Sequence, residues 1–497
     1  MGKKGLLKDI GLNILITLIL NIFLFLINKY FLKNLGIRNL GLMKLFTQMM
    51  MYLNIVESGI GVAGTYALYK PIVEKNFLKV SIIINTISIL YKKISILILL
   101  IGLICNFLLP FLINDILDKS IYLYWSLYVI NLSISYCYVK YNILFIASQE
   151  YNLTRIIDGT GKIVCYTLQL IVIMILKNFY IFIIMMYLDT ILQYFMYKYF
   201  FKKKYLYIVK TNKVDISIRK NMKNLLLHKL GGIFVFNVDL ILITKFVSLD
   251  AVGIYASYQM VTQIFGVGIN MILNIVRPKI GKYMAINSKE TIYRFWRKYN
   301  ILYLFVCLFL TLCTNYLLDP FIKFWLGDGL FLEKNIKILI VFNMFVLYFR
   351  KFIELIKETN GFFNDIEAPI IEATLKIMFS LILGKTLGLE GILMGTAISN
   401  TVIILLYKPI LIFKNCFNQK KKEYIKIYGQ YLLLVLLSLA FFRILEIKNI
   451  EKNIKSWLDW IVYATTISVI TGVVLFVVFL LNKDFRNIIK TYVLKRK

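Results

Sequence analysis

Residues 59–71 read GIGVAGTYALYKP, and residues 266–278 read GVGINMILNIVRP. Both stretches open on Gly-x-Gly. Both reach a proline twelve residues after the first glycine, with Lys70 or Arg277 directly before it. The first is too glycine-rich for an ordinary membrane-helix interior and too apolar for a loop, and the second repeats its start, length and end, so the pair reads as a register mark between two copies of one unit. Other matches follow in the same order. Pro71 and Pro278 are 207 residues apart, Tyr91-Lys92-Lys93 and Trp296-Arg297-Lys298 are 205 apart, and Pro110-Phe111 and Pro320-Phe321 are 210 apart. Lys162-Ile163 and Lys376-Ile377 are 214 apart, and Tyr197-Lys198 and Tyr407-Lys408 are 210 apart. Loop insertions produce this kind of scatter.

The composition states what kind of unit is repeated. Of the 497 residues 60% are hydrophobic and 17% charged, and the mean hydropathy is +0.75. A soluble chain of this length has no place for so much apolar surface, so an all-α polytopic membrane protein is expected. Transmembrane β-strands would alternate in hydropathy, and the Ile, Leu, Phe and Tyr runs here do not. A net charge of +33 would suggest nucleic acid for a soluble protein, but here the charges lie between apolar runs and no nucleic-acid partner is expected. Lys3, Lys4 and Lys8 precede the first apolar run, as in a signal peptide. No small-residue cleavage site follows, so a retained first helix is expected. The six cysteines show no C-x-x-C spacing and read as core residues rather than disulfides or metal ligands.

Spans of roughly 20 apolar residues fall at 10–29, 41–65, 94–114, 121–146, 160–177, 179–201, 225–246, 252–276, 300–318, 335–350, 368–385, 390–412, 427–446 and 459–481. With a cytoplasmic N-terminus, 41 Lys and Arg fall on the inner side and 14 on the outer. That bias puts both termini inside, which requires an even number of spans. The repeat then gives a six-helix lobe over 1–204, a second over 205–415, and two additional helices with a basic tail over 416–497. Six is even, so the lobes are parallel, related by a pseudo-two-fold axis along the membrane normal; such repeats enclose a central cavity in transporters.

An ionisable residue inside a span costs about 2.5–3.5 kcal/mol on insertion scales, which makes each one a site hypothesis. Lys44 lies in GLMKLFTQ with Gln48 one turn later, and Glu57 follows on the same span. Lys140 lies in the fourth span, His228 and Lys229 open the seventh, and Asp239 lies ten residues along it. Gln259, Gln263 and Asn270 form a polar stripe on the eighth. Asp158–Lys162 and Glu372–Lys376 share the spacing of intrahelical ion pairs. Lys44 and Lys140 also suit lysines that snorkel to an interface, and His228 suits an interfacial helix end.

Three short motifs resemble one family. Gly36-Ile37-Arg38-Asn39-Leu40-Gly41, followed by Glu57-Ser58-Gly59-Ile60-Gly61 and Leu68-Tyr69-Lys70-Pro71, is similar to the start of bacterial oligosaccharide flippases that handle O-antigen and capsule repeat units. Asp239 with Val252-Gly253-Ile254-Tyr255-Ala256-Ser257-Tyr258 resembles the opening of their second half, and Gly361 through Ile371-Glu372-Ala373 their eleventh-helix entry. The superfamily also contains multidrug and toxin extrusion carriers and the peptidoglycan-precursor flippase. The resemblance implies two six-helix lobes forming a V and no enzymatic activity. It also implies transfer of undecaprenyl-diphosphate-linked oligosaccharide across the bacterial cytoplasmic membrane, beside membrane lipids and other polysaccharide-assembly proteins.

For such a substrate Lys44, Lys140 and Lys229 are candidate diphosphate ligands, and Gln48, Gln259, Gln263 and Asn270 candidate sugar ligands. Glu57 and Asp239 are candidate ion-coupling groups. Gly59, Gly61, Pro71, Gly266, Gly268 and Pro278 read as hinge or packing points, with the basic residue and proline ending each helix at the inner surface. No cofactor or metal is expected. The run Gly159-Thr160-Gly161-Lys162 is not a phosphate-binding loop, because Ile156 and Ile163 stand where glycine and Ser or Thr are required. A multidrug or small-molecule cation antiporter on the same fold is the alternative, and would call for an acidic cavity. A glycan polymerase or glycosyltransferase fits less well, since the outer loops are short and no Asp-x-Asp occurs.

Overall fold

The computed structural model describes residues 3–113, 118–209, 211–215, 238–362, 365, 367–444, 454 and 456–493, with side chains described for all of these except 3–10, 55–60, 62, 492 and 493. The regular structure among them is entirely helical. The first elements are α1 (Lys3–Leu53), α2 (Ile55–Val73), α3 (Phe77–Ile104), α4 (Ser120–Ala147), α5 (Tyr151–Ile171), α6 (Phe179–Lys204) and α7 (Asp239–Phe246). They are followed by α8 (Leu249–Ile286), α9 (Lys289–Leu326), α10 (Lys334–Thr359), α11 (Glu367–Asn400), α12 (Lys408–Asn415), α13 (Lys421–Ile444), α14 (Trp457–Phe479) and α15 (Lys483–Val493).

Ten stretches among the described residues are long and apolar enough to cross a membrane. Two of them, Gly11–Leu53 and Glu367–Asn415, hold 43 and 49 residues. At 1.5 Å per residue these run to about 65 and 73 Å, over twice the ~30 Å hydrocarbon thickness, so each contains two of the spans read from sequence. Each is divided by a glycine in a conformation that disfavours L side chains: Gly36 at φ 81° and Gly388 at φ 57°. At Gly388 the chain folds back on itself. Ser380 Oγ donates to the Ile392 carbonyl at 3.0 Å, and a Cβ on Gly391 would collide with the Leu383 carbonyl. The second span is broken again at Asn54, whose side chain accepts from the Tyr136 hydroxyl at 2.6 Å.

Several helices extend beyond their apolar runs. α3 begins at Phe77, capped by the Asn76 side chain on Lys79 N at 3.0 Å, so Lys79, Lys92 and Lys93 are helical rather than in a loop. Ser288 likewise caps α9 well before its apolar part. Proline does not end the eighth span, contrary to the sequence expectation: Pro278 lies inside α8, which continues to Ile286. A proline removes one hydrogen bond and strains one turn, and the surrounding turns can hold the helix together. Pro71 lies two residues from the end of α2.

The chain divides into two compact units, Met1–Gly253 and Ile254–Lys497. The first has two apolar cores, one around Phe31, Phe46, Trp125 and Phe182 and the other around Tyr91, Phe145 and Tyr197. Within this unit Gly41 of α1 and Gly253 of α8 meet at backbone distance. A Cβ on Gly41 would overlap the Leu249 carbonyl, and one on Gly253 would come within 2.9 Å of the Ile37 carbonyl. Residues 37 and 249, and residues 41 and 253, are each 212 apart. The contact is therefore reciprocal between two pairs of positions with the same separation in sequence.

The second unit has one core, around Trp296, Phe413, Phe417 and Phe479. The last three helices pack on it. Arg297 pairs with Asp484 at 2.7 Å, and the Trp460 indole donates to the Leu317 carbonyl at 3.4 Å.

Candidate functional site

After Gly36 the helix α1 presents Lys44, Gln48 and Tyr52 at successive i,i+4 positions, a single stripe along its face. Of the residues between them, Leu45, Phe46 and Met49 are buried in the apolar core, and Thr47 and Met51 are exposed. Gln48 is buried as well, and its Nε2 is outside good hydrogen-bond geometry, the Tyr52 hydroxyl being the polar group it acts on. Lys44 is half-buried and makes no ion pair or hydrogen bond among the described residues. Asp239, buried at the start of the described part of α7, lies near enough to Tyr52 to act on its hydroxyl electrostatically. Lys44, Gln48 and Tyr52 thus lie along one face over about 12 Å, with the Asp239 carboxylate beside the Tyr52 end. An unmatched buried donor costs about 1–3 kcal/mol. The set can donate hydrogen bonds to an anionic or oxygen-rich ligand and carries one carboxylate beside them.

Two sequence candidates, Lys44 and Gln48, lie on this stripe, and a third, Asp239, lies beside its Tyr52 end. Tyr52 is not among the sequence candidates, although its spacing of four from Gln48 is visible in the sequence. Lys140 lies elsewhere, in a cavity between α3, α4 and α6, where its Nζ donates to Ser88 Oγ at 3.2 Å and sits 5.0 Å from the Tyr141 ring centroid. The polar stripe of α8 belongs to the second unit. Gln259 Nε2 donates to the Tyr255 hydroxyl at 2.7 Å, while Gln263 and Asn270 are exposed. His228 and Lys229 lie outside the described residues, and so do the side chain of Glu57 and the surroundings of Gly59.

The hinge glycines differ from one another. Gly61 has only the Tyr91 hydroxyl near the space a Cβ would fill, at 3.4 Å. Gly266 is buried under Tyr348 and Lys351 of α10. These two side chains take backbone carbonyls from successive turns of α8: Tyr348 the one at Thr262, and Lys351 Nζ the one at Gly266, 2.8 Å away. A carbonyl shared with a side chain in this way is a recognised origin of helix bending. Gly268 faces open space.

The acidic members of the two expected intrahelical pairs also make tertiary contacts, and Lys162 still acts electrostatically on Asp158. Asp158 accepts from the Tyr197 hydroxyl at 2.8 Å, and Lys162 is exposed. Glu372 is buried and pairs with Arg350 of α10 at 2.6 Å. Arg350 opens a network that the sequence reading did not find. Glu354 pairs with Lys408 and with Lys357 at 2.9 Å, and Lys357 also pairs with Asp365 at 2.8 Å. The Arg350–Glu354 spacing of four and the Glu354–Lys357 spacing of three were its visible signals. No group of His, Cys, Asp and Glu suited to a metal occurs among the described residues.

Comparison with solved structures identifies the fold. The chain is similar to the lipid II flippase MurJ in an inward closed conformation, at 13% identity and TM-score 0.67, covering 96% of this chain and 99% of that one. It is also similar to an inward-facing multidrug resistance MATE family transporter of the MOP superfamily, at 16% identity and TM-score 0.63, covering 79% and 94%. A mutant form of the Vibrio cholerae MATE transporter VcmN is similar at 16% identity and TM-score 0.50, covering 84% and 99%. No protein-family model matches the sequence, and no curated protein does.

Proposed function

We propose that the protein moves a lipid-linked oligosaccharide, carried on undecaprenyl diphosphate, from the inner to the outer leaflet of a bacterial cytoplasmic membrane by alternating access. The observation that carries this reading is the Lys44–Gln48–Tyr52 stripe beside Asp239, inside a fold shared with a protein described as a lipid II flippase. Lys44 and Gln48 supply the charge-assisted and neutral hydrogen bonds that phosphate and sugar oxygens accept. Gln259, Gln263 and Asn270 of α8 add amide groups for sugars. Asp239 is the group whose protonation or cation binding would reset the cycle.

Lys44→Gln and Asp239→Asn are each expected to abolish surface display of the glycan in a flippase-null cell while membrane levels of the protein stay normal. Normal display with either variant would overturn the site assignment. A MATE-like fold also hosts multidrug transport, and fold alone does not fix function. That second reading, favoured by the buried Asp239, predicts that the Asp239→Asn variant alters drug resistance and leaves glycan display intact.

The hinge reading has its own test at Gly268. Alanine there meets no neighbour and should raise helix stability by about 1 kcal/mol. If the glycine supplies flexibility for the transport cycle, Gly268→Ala lowers glycan display without lowering resistance to unfolding. Unchanged display removes Gly268 from the hinge.

A further inference from the structure

A cavity of about 540 Å³ opens between α3, α4 and α6 in the first unit. Lys92 and Lys140 line it, together with hydroxyl-bearing side chains that include Ser88, Thr190 and Tyr194. Lys198 adjoins it, its Nζ 3.4 Å from the Tyr194 hydroxyl and 5.3 Å from that ring's centroid. Lys140 lies close enough to Lys92 and to Lys198 to feel the charge of both. Among the described residues no Asp or Glu lines the cavity, so the described walls set like charges near one another.

The repeat explains what is missing. At the offset of 210 that joins Tyr197-Lys198 to Tyr407-Lys408, Lys140 corresponds to Arg350 and Lys198 to Lys408. In the second unit both cations pair with the carboxylate of Glu354. The residue 210 positions before Glu354 is Leu144, which is fully buried in the apolar core. At the matching position the first unit keeps the two cations and has leucine in place of the acid.

The position and rim indicate where the counter-ion comes from. Lys140 lies seven residues before Ala147, and Lys198 six before Lys204. That places them about 9–11 Å inside the ends of α4 and α6, below the basic run Lys202, Lys203 and Lys204. On the same wall Ile134, Ile191 and Phe195 line the cavity and are exposed. Phosphate-binding groups above an exposed apolar rim match a headgroup with its acyl chains.

We infer that this cavity is a binding site for an anionic phospholipid of the inner leaflet, with the phosphate held by Lys92, Lys140 and Lys198 and the acyl chains along Ile134, Ile191 and Phe195. The inference is independent of what the protein transports. Hydroxyls from Ser88 and Tyr194 complete the phosphate's hydrogen bonds, and the phosphate does for these cations what Glu354 does for the paired cations of the other unit.

Cys137 gives a test on the unaltered protein, because it is exposed and lines the cavity. Maleimide labelling of Cys137 is measured by peptide mass spectrometry on full-length protein in neutral detergent. Added phosphatidylglycerol is expected to slow it, and phosphatidylcholine is not. The variant Lys92→Gln/Lys140→Gln/Lys198→Gln should lose this protection, with apparent lipid affinity falling about a hundredfold. Equal protection by phosphatidylcholine, or protection unchanged in the variant, would overturn the inference. Protection by inorganic pyrophosphate alone would assign the site to a soluble anion. Undecaprenyl phosphate displacing phosphatidylglycerol at equal concentration would assign it to the transported lipid. If the triple variant does not fold, the comparison of lipids on the unaltered protein still decides between these outcomes.

Discussion

Glu354→Ala is expected to lower stability by about 3–5 kcal/mol, the cost of leaving a buried ion without its partner. The ion is Lys408, whose side chain is 2% exposed and pairs with Glu354. Lys357 and Arg350 are also within ion-pair distance of the same carboxylate, at 2.9 and 3.5 Å. They keep other partners, Asp365 and Glu372, so the burden falls on Lys408. The midpoint of SDS-induced unfolding in mixed micelles measures the loss. A loss below about 1 kcal/mol, the value of a solvent-screened pair, would show that water reaches the network. Glu354→Leu combined with Lys408→Met should recover most of the stability, because removing both charges removes the desolvation cost as well.

Gly41→Ala is the second large effect, expected to cost about 1–3 kcal/mol or more from overpacking. The added Cβ would overlap the backbone carbonyl of Leu249, which cannot rotate away as a side-chain tip would. Relief requires α1 and α8 to separate, which breaks the reciprocal contact of Ile37 with Gly253 as well. Small residues at such crossings allow close helix packing in membranes. Gly429→Ala is the control, since nothing lies within 4 Å of that position; there alanine should be neutral or stabilising. An unfolding midpoint for Gly41→Ala equal to that of the unaltered protein would show that the crossing is looser than drawn.

Part of the candidate site was legible because charge inside an apolar run is conspicuous. Lys44 and Asp239 stood out in this way, and Gln48 followed from its position one turn from Lys44. Tyr52 did not stand out, since tyrosine is common in this chain and equally at home in a core or an interfacial belt. Lys140 was visible as an intramembrane charge, but nothing in its own helix indicates that it shares a cavity with Lys92 and Lys198, which lie on two other helices. The network around Glu354 was hidden for a related reason. Lys408 sits beside a basic loop segment and reads as a positive-inside residue, yet it is buried in the second unit.

The sequence by itself determined that the chain is helical and membrane-spanning and roughly where the spans lie, and its offsets suggest a repeated six-helix unit. Those features are one-dimensional: run length, the distribution of Lys and Arg, and offsets along the chain. Where one span becomes the next was also local, because Gly36 and Gly388 permit a backbone that other residues resist. Tertiary structure decided which polar groups meet. Lys198 and Lys408 occupy equivalent places in the repeat, yet one borders an open cavity and the other is sealed against a carboxylate. That difference depends on the residue a neighbouring helix presents at the same depth, Leu144 or Glu354. Distance in sequence does not report it, because the energy of a charge is set by what surrounds it in space.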